Sequence, residues 1–203
     1  MIIGTAGFTA AECVQKLERS GMTPASGPVL VTGATGGVGS VAVKLLAQLG
    51  YEVAAVTGKE DKHDFLRSLG ASEILSREEA NAGSDKPMLA ERWGGVVDTV
   101  GGDILFNGVK SLRYGCSLAA CGLVAAPVFS ASVLPFILRH VNLLGIDSVQ
   151  LPIEEKAEIW HRLGDEWLMD LSDLEEVLTL DDLSGAIDRI LSGQMVGRGV
   201  VHL

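Results

Sequence analysis

One short apolar run, followed directly by a glycine-rich turn, constrains this chain more than any other feature. The run spans residues 29–32 (VLVT) and the turn spans residues 34–39 (ATGGVG). From residue 38 to residue 49 apolar side chains recur every three to four positions, and Gly50 ends the pattern as a helix C-terminus does. A buried strand, a tight turn and a crossover helix in this order predict a βαβ unit with two parallel strands.

The alternation of strand and helix patterns continues as far as residue 150. Further strands are predicted at residues 52–56, 73–75, 95–99, 116–121 and 142–147, and helices at residues 61–69, 104–112 and 133–139. Residues 81–87 are predicted to be a polar connection. Strands separated by helices predict an α/β protein with a doubly wound parallel sheet of the Rossmann type.

The chain divides into three segments. Residues 1–28 are predicted to be a connecting helix (residues 10–20) and a linker, residues 29–150 the dinucleotide-binding domain, and residues 151–203 a C-terminal part. The C-terminal part has helix patterns at residues 154–167 and 183–191 and strand patterns near residue 177 and at residues 199–203. These strands need not belong to the main sheet. With 47% apolar and 21% charged residues, the chain has the composition of a dense core with little disorder.

The glycine turn has a chemical interpretation. The pyrophosphate of a dinucleotide must approach backbone N–H groups at a helix N-terminus, where side chains obstruct it and the helix dipole favours negative charge. Gly36 would admit the pyrophosphate, and Gly39 would let the helix lie close to the first strand. The alternative is a glycine turn that packs tightly in an α/β protein without any cofactor.

The end of the second strand distinguishes the two nicotinamide cofactors. NAD-binding proteins place Asp or Glu there to accept hydrogen bonds from the ribose hydroxyls, whereas this chain has Thr57, Gly58 and Lys59. A 2′-phosphate would meet donors and a positive charge at this place, which favours NADPH. Lys59 is alternatively an ordinary solvated lysine.

Two other strands end with residues that could border the cofactor. Cys121 could face the nicotinamide, although a plain buried cysteine is the simpler interpretation. Thr99 could line the adenosine side, and capping of the next loop is an equal alternative. The sequence shows no general acid, so it leaves the catalytic residue open.

Charge, cysteines and histidines argue against several other functions. A net charge of −10 argues against nucleic acid as a partner. The four histidines stand at no metal-ligand spacing with each other or with a cysteine, so no metal is predicted. Three cysteines form no even disulfide set, which favours a reducing compartment, and we expect the cytoplasm. The most apolar stretch, residues 116–138, is interrupted by Pro127 and Pro135, so no membrane span is expected.

Several segments carry a resemblance to a known family. They are residues 4–10 (GTAGFTA), 31–40 (VTGATGGVGS), 98–101 (DTVG), 120–123 (ACGL), 135–139 (PFILR) and 145–148 (GIDS). In these segments the chain resembles the zinc-free medium-chain dehydrogenases/reductases, in particular their acrylyl-CoA reductase branch, often labelled quinone oxidoreductase. The last two segments are the more specific to that branch. Residues 4–7 contain no cysteine where zinc-dependent relatives have a zinc ligand, which supports zinc-free chemistry.

The resemblance implies an activity and a set of binding residues. It implies that hydride passes from NADPH to the β-carbon of an α,β-unsaturated acyl-CoA, with reduction of quinones or alkenals as the alternative that shares the cofactor site. The cofactor-binding residues would be Thr35, Gly36, Gly37, Val38 and Gly39 at the pyrophosphate, Thr57, Gly58 and Lys59 at the 2′-phosphate, Thr99 on the adenosine side, and Ala120, Cys121 and Gly122 at the nicotinamide end.

The resemblance also concerns domain content and assembly. Members of the family begin with a barrel-like substrate domain, and the resemblance implies that this chain starts after it, so residues 151–203 are expected to be part of an incomplete second domain. We therefore expect cofactor binding without efficient turnover, and a non-catalytic NADPH-binding or interaction module is a further alternative. A homodimer joined through the edge strand at residues 142–147 is also expected.

Overall fold

A six-stranded parallel sheet forms the centre of the protein, whose computed structural model describes residues 2–202. The strands lie in the order β3-β2-β1-β4-β5-β6. They are β1 Val29–Val31, β2 Val53–Val56, β3 Glu73–Leu75, β4 Gly95–Asp98, β5 Ser117–Ala120 and β6 Asn142–Gly145. From β1 the chain winds outward to β3, returns beside β1 as β4, and then winds outward to β6. The predicted doubly wound parallel sheet is confirmed, and its direction changes between β1 and β4, where such sheets open a ligand crevice.

Burial explains why these short segments are strands. β1, β2 and β4 are buried along their whole length because helices cover both faces of the sheet. β1 lies in register with both neighbours, Val31 opposite Ala55 in β2 and Val97 in β4. β6 pairs with β5 on one side and is largely exposed, so it forms one edge of the sheet.

The helices cover the two faces of this sheet. They are α1 Gly4–Arg19, α2 Gly37–Gln48, α3 His63–Ser68, α4 Arg77–Ala80, α5 Gly102–Lys110, α6 Leu134–Arg139, α7 Ile153–Gly164 and α8 Leu183–Leu191. α1 and α2 pack against each other and supply one apolar cluster with the sheet, which α7 completes. α5 supplies a second cluster on the opposite face. None of the helices in residues 2–202 combines the length and apolarity needed to cross a bilayer.

Two elements differ from the sequence prediction. α1 begins at Gly4 instead of residue 10, because Phe8 and the residues around it are buried by tertiary packing that helical periodicity does not reveal. α4 lies just ahead of the predicted polar connection and was not predicted. It starts with a capping box, in which Ser76 Oγ accepts from Glu79 N at 3.1 Å and Glu79 Oε2 accepts from Ser76 N at 2.8 Å.

The C-terminal part builds a small separate sheet. β7 Glu175–Leu178 and β8 Arg198–Val201 pair in parallel, and α8 connects them. α8 buries Ala186 but leaves Ile187, Ile190 and Leu191 exposed. These strands therefore lie outside the main sheet, as the sequence had left possible.

Candidate functional site

The glycine turn leads from β1 into the first turn of α2. Gly36 is the N-cap residue, held by a hydrogen bond from its N–H to the Gly33 carbonyl at 2.9 Å. The N–H groups of Gly37, Val38 and Gly39 point out of the helix start and have no protein acceptor in the part of the chain described here. No side chain caps this helix, and its first turn has no acidic residue. An anion could therefore satisfy these donors.

Gly39 is required for the approach of α2 to the end of β1. A Cβ atom at this position would run into the Gly33 carbonyl oxygen and lie 2.8 Å from the Ala34 Cα. Both obstacles are backbone atoms, which cannot move aside without shifting the strand. Gly36 is less restricted, since its Cβ would lie 3.3 Å from the same carbonyl oxygen. Gly39 therefore has the packing role that the sequence indicated.

A cleft of about 420 Å³ opens at the carboxyl edge of the sheet beside this turn. The ends of β1, β2 and β4, the helices α4 and α5, and the loop after β5 enclose it. Residues at its wall include Gly33, Thr35, Val56, Thr57, Gly58, Arg77, Asn81, Val100, Asp103, Ile104 and Val124. The cleft thus lies at the position where the direction of the sheet changes, and it has the size of a small-molecule site.

A buried carboxylate shapes the floor between β1 and β4. Asp98 accepts a hydrogen bond from Thr32 Oγ1 at 2.7 Å and another from the Gly101 N–H at 2.8 Å. Burial raises the pKa of Asp98 above 3.8, and these hydrogen bonds partly offset the shift. The Thr99 hydroxyl donates to the carbonyl of Thr32, the residue after β1, at 2.9 Å. Asp98 and Thr99 therefore hold the strand ends together.

Arg77 is a candidate site residue that the sequence analysis missed. It is the first residue of α4 and lines the cleft next to Thr57 and Gly58. A Cβ atom on Gly58 would lie 2.7 Å from Arg77 Nε, so the guanidinium lies directly over that glycine. The capping box at Ser76 was the signal that could have placed Arg77 at a helix start facing the second strand.

Lys59 has a different environment from the one expected of a free surface lysine. Its Nζ donates to the Met195 carbonyl at 2.8 Å, and its backbone N–H donates to Thr57 Oγ1 at 3.1 Å. Burial is the main reason why the pKa of Lys59 is lowered. Lys59 therefore binds the C-terminal segment to the end of β2, and Arg77 instead lines the cleft.

Arg198 is the second candidate that sequence reasoning missed. Its Nη1 lies 2.9 Å from the place of a Cβ on Gly37, and its Nη2 lies 2.9 Å from that of a Cβ on Gly4. The guanidinium thus sits between the N-termini of α1 and α2. The Arg198 Nε donates to the Ile2 carbonyl at 3.0 Å. Burial lowers the pKa of Arg198, and its guanidinium has no carboxylate partner within residues 2–202. A cation flanked by two helix N-termini creates a strongly positive potential, which attracts anions.

The C-terminal segment brings Arg198 to this position through one further contact. The Gly197 N–H donates to the Thr35 carbonyl at 3.0 Å, which ties the start of β8 to the glycine turn. This contact was not predicted, because Thr35 and Gly197 are far apart in the chain.

The residues predicted for the nicotinamide end lie at the carboxyl end of β5. The Cys121 N–H donates to the Asp98 carbonyl at 2.9 Å, and its Sγ donates to the same oxygen at 3.3 Å. A Cβ atom on Gly122 would run into the Thr99 carbonyl, so the chain crosses very close to the end of β4 here. β5 lies two strands from β1, about 10 Å away along the same edge of the sheet.

The predicted residues fall into groups along one edge of the sheet. Thr35, Thr57 and Gly58 line the cleft, and residues 36–39 form the helix start beside it. Residues 120–122 follow at the end of β5, and Lys59 turns toward Met195. Whether each of them contacts a cofactor remains a prediction.

Comparison with known proteins identifies the family. A family model described as zinc-binding dehydrogenase matches residues 37–165, which is more than half of the chain. This chain belongs to the zinc-binding dehydrogenase family. The resemblance inferred from the glycine turn and the segments around it is thereby confirmed.

Proteins with similar sequences include two from bacteria. Acrylyl-CoA reductase AcuI of Ruegeria pomeroyi is 50% identical over 100% of this chain and 62% of that protein. A putative quinone oxidoreductase, YhfP of Bacillus subtilis, is 44% identical over 100% of this chain and 62% of that protein. The chain therefore spans 62% of the length of these relatives.

Solved structures of this family agree with the fold. The yhdH oxidoreductase from Salmonella enterica, in complex with NADP, matches with a TM-score of 0.93 at 45% identity over 100% of this chain and 62% of that one. The Bacillus subtilis protein yhfP, with NAD bound, matches with a TM-score of 0.96 at 44% identity, with the same coverage of each chain.

The description of the family refers to zinc. Among residues 2–202, no group of three or more His, Cys, Asp and Glu side chains lies together in a way that could hold a metal ion. Zinc-free chemistry remains a prediction from residues 4–7.

Proposed function

We propose that this chain binds NADPH along the carboxyl edge of its sheet and serves in the reduction of the C=C bond of an α,β-unsaturated acyl-CoA. The observation that carries the proposal is the Arg198 guanidinium, which has no carboxylate partner within residues 2–202, beside the N–H groups at the start of α2. The names of the similar proteins, an acrylyl-CoA reductase and an oxidoreductase in complex with NADP, support the substrate class and the cofactor. Because the chain spans 62% of their length, turnover and substrate are proposed for the whole protein.

The pyrophosphate would occupy the start of α2. The N–H groups of Gly37, Val38 and Gly39 would donate to its oxygens, and Gly36 leaves room for the approach. The Arg198 guanidinium would offset the negative charge of the pyrophosphate from the side opposite these N–H groups. Both groups favour any dinucleotide equally, since the pyrophosphate is common to NADPH and NADH.

The choice of NADPH would be made at the end of β2. Arg77 lies over Gly58, and the Thr57 hydroxyl is beside it, so a 2′-phosphate on the adenosine ribose would meet a guanidinium there. Lys59 would add positive charge at a greater distance, because its ammonium is held by Met195. Residues 57–59 contain no carboxylate, although Glu60 follows directly and lies on the same surface as Thr57 and Gly58.

The nicotinamide end would lie against residues 120–122. The bound cofactor supplies a hydride to the β-carbon of the substrate. Residues 120–122 would orient the nicotinamide ring, since the close crossing at Gly122 holds this segment rigidly against β4. We assign no general acid, and Cys121 has no nucleophilic role in this proposal.

Titration with NADPH and a turnover assay test the proposal together. NADPH fluorescence should change and saturate as this chain binds the cofactor, and the whole protein should reduce acryloyl-CoA faster than a small quinone if the substrate class is right. Faster reduction of the quinone would favour the quinone or alkenal alternative. Saturable binding without turnover of either would favour a binding module, and absence of binding would refute the proposal.

A cellular compartment and an oligomeric state are also proposed. The three cysteines are free thiols in the structure, consistent with the proposed reducing cytoplasm. We also propose a homodimer that pairs β6 of two copies, because this edge strand is exposed and has a half-exposed Leu143.

A further inference from the structure

Two of the three cysteines come from distant parts of the chain and lie side by side. Cys13 is in the middle of α1 and its side chain is completely buried. Cys121 directly follows β5, against which α1 packs, and it joins the apolar cluster that contains Cys13. The Cys121 thiol lies close enough to Cys13 to raise the pKa of the Cys13 thiol. Cys116, the remaining cysteine, packs against the cluster on the opposite face of the sheet.

The two thiols differ in their access to solvent. Cys121 is partly exposed at the carboxyl edge of the sheet, where its Sγ donates to the Asp98 carbonyl at 3.3 Å. Cys13 has no exposed surface. A small oxidant from solvent can therefore reach Cys121 first, and Cys13 lies in position to react with whatever forms on it.

We propose that Cys13 and Cys121 are a peroxide-sensitive pair that closes to an intramolecular disulfide. The Cys121 thiolate attacks one oxygen of hydrogen peroxide, which breaks the O–O bond and gives a sulfenic acid and hydroxide. The hydroxide takes up the proton that Cys121 released on ionisation and becomes the first water. Cys13 Sγ then attacks the Cys121 sulfur, the S–S bond forms, and the departing hydroxide takes up the Cys13 proton as a second water. Two thiols and one hydrogen peroxide thus give one disulfide and two waters.

The surroundings of the two cysteines determine how fast the disulfide forms. The adjacent Cys121 thiol and burial raise the pKa of Cys13 well above 9.0, so little of it is thiolate at neutral pH. Closure from the sulfenic acid is therefore expected to accelerate about tenfold per pH unit until Cys13 ionises. Closure also withdraws Cys121 Sγ from the Asp98 carbonyl, which loosens the crossing of β5 and β4.

Peptide mapping of the unsubstituted protein tests the proposal. The reduced protein is treated with hydrogen peroxide, the remaining thiols are alkylated under denaturing conditions, and the protein is digested without reductant. We expect the thiol count to fall from three to one, with the Cys13 and Cys121 peptides joined and Cys116 alkylated. Dithiothreitol should restore all three thiols.

Two variants give a matched comparison. Cys116→Ser should close at an unchanged rate, whereas Cys13→Ser should leave Cys121 as a sulfenic acid that a dimedone probe traps. A disulfide to Cys116 in the unsubstituted protein, or oxidation of Cys121 to sulfinic acid while Cys13 remains free, would overturn the proposal. Because the deciding measurement is made on the unsubstituted protein, it does not depend on either variant folding.

Discussion

At the residue scale, the proposal makes Arg77 the residue that discriminates between NADPH and NADH. Arg77→Gln removes the charge at the 2′-phosphate position, so the Kd for NADPH should rise by roughly ten- to a hundredfold while the Kd for NADH changes little. Isothermal titration with both cofactors measures the two values. Arg67→Gln, on the exposed surface of α3, is the matched control and should change neither. An equal loss for both cofactors would place Arg77 elsewhere than at the 2′-phosphate.

Substitution of Arg198 should affect both cofactors, unlike substitution of Arg77. Arg198→Met keeps the apolar stem and removes the charge beside α2, so the Kd values for NADPH and NADH should rise together, by roughly tenfold. The salt dependence of binding should weaken as well, because one cation fewer faces the pyrophosphate. Unchanged binding in titrations at low and high salt would show that no anion occupies this place.

At the element scale, side chains on successive turns of α1 hold the end of β6 and the segment that follows it. Thr9 Oγ1 donates to Ser148 Oγ at 3.1 Å, and Lys16 Nζ donates to the Gly145 carbonyl at 2.7 Å. Between them Glu12 is 4% exposed, and its Oε2 has no hydrogen-bond partner in the described part of the chain. Burial raises the pKa of Glu12 above 4.5, with Asp147 and Glu155 adding to the shift and Lys16 and the Asp147 N–H opposing it.

This raised pKa predicts a pH dependence of stability. A carboxyl group whose folded pKa exceeds the unfolded value stabilises the fold fully below about pH 4.5, and this contribution is lost as pH rises through the folded pKa. Glu12→Gln, which cannot ionise, should therefore gain stability relative to the parent chain across that range. Urea denaturation at a series of pH values measures the difference, with Glu154→Gln on the exposed surface as control. A difference between parent and Glu12→Gln that does not vary with pH would contradict the assignment.

At the scale of the whole molecule, the proposed homodimer depends on the exposed edge of β6. The N–H groups of Asn142 and Ile146 donate to β5, so the N–H of Leu143 faces outward. Leu143→Pro removes a donor from the free edge alone, and light scattering should show a shift from dimer to monomer. Asn142→Pro, in contrast, breaks the bond to the Cys116 carbonyl and should lower the free energy of unfolding by about 1–3 kcal/mol. A Leu143→Pro protein that remains dimeric would place the interface on another surface.

Local sequence patterns were sufficient to predict much of the fold and part of the candidate site. The order of strand, glycine turn and helix at residues 29–49 reflects backbone geometry and hydrophobic periodicity, both of which act over a few residues. The end of β2 at Thr57 followed from the same pattern, and so did the absence of a carboxylate there.

The sequence by itself therefore determined the parallel α/β sheet, the helix start that faces the carboxyl edge and the family. Only the tertiary structure decided which cations lie beside that edge. It brought in Arg77 from a single-turn helix and Arg198 from the last strand, and it turned Lys59 toward Met195. The reason is that these placements depend on contacts between residues far apart in the chain, which neither periodicity nor local propensity encodes.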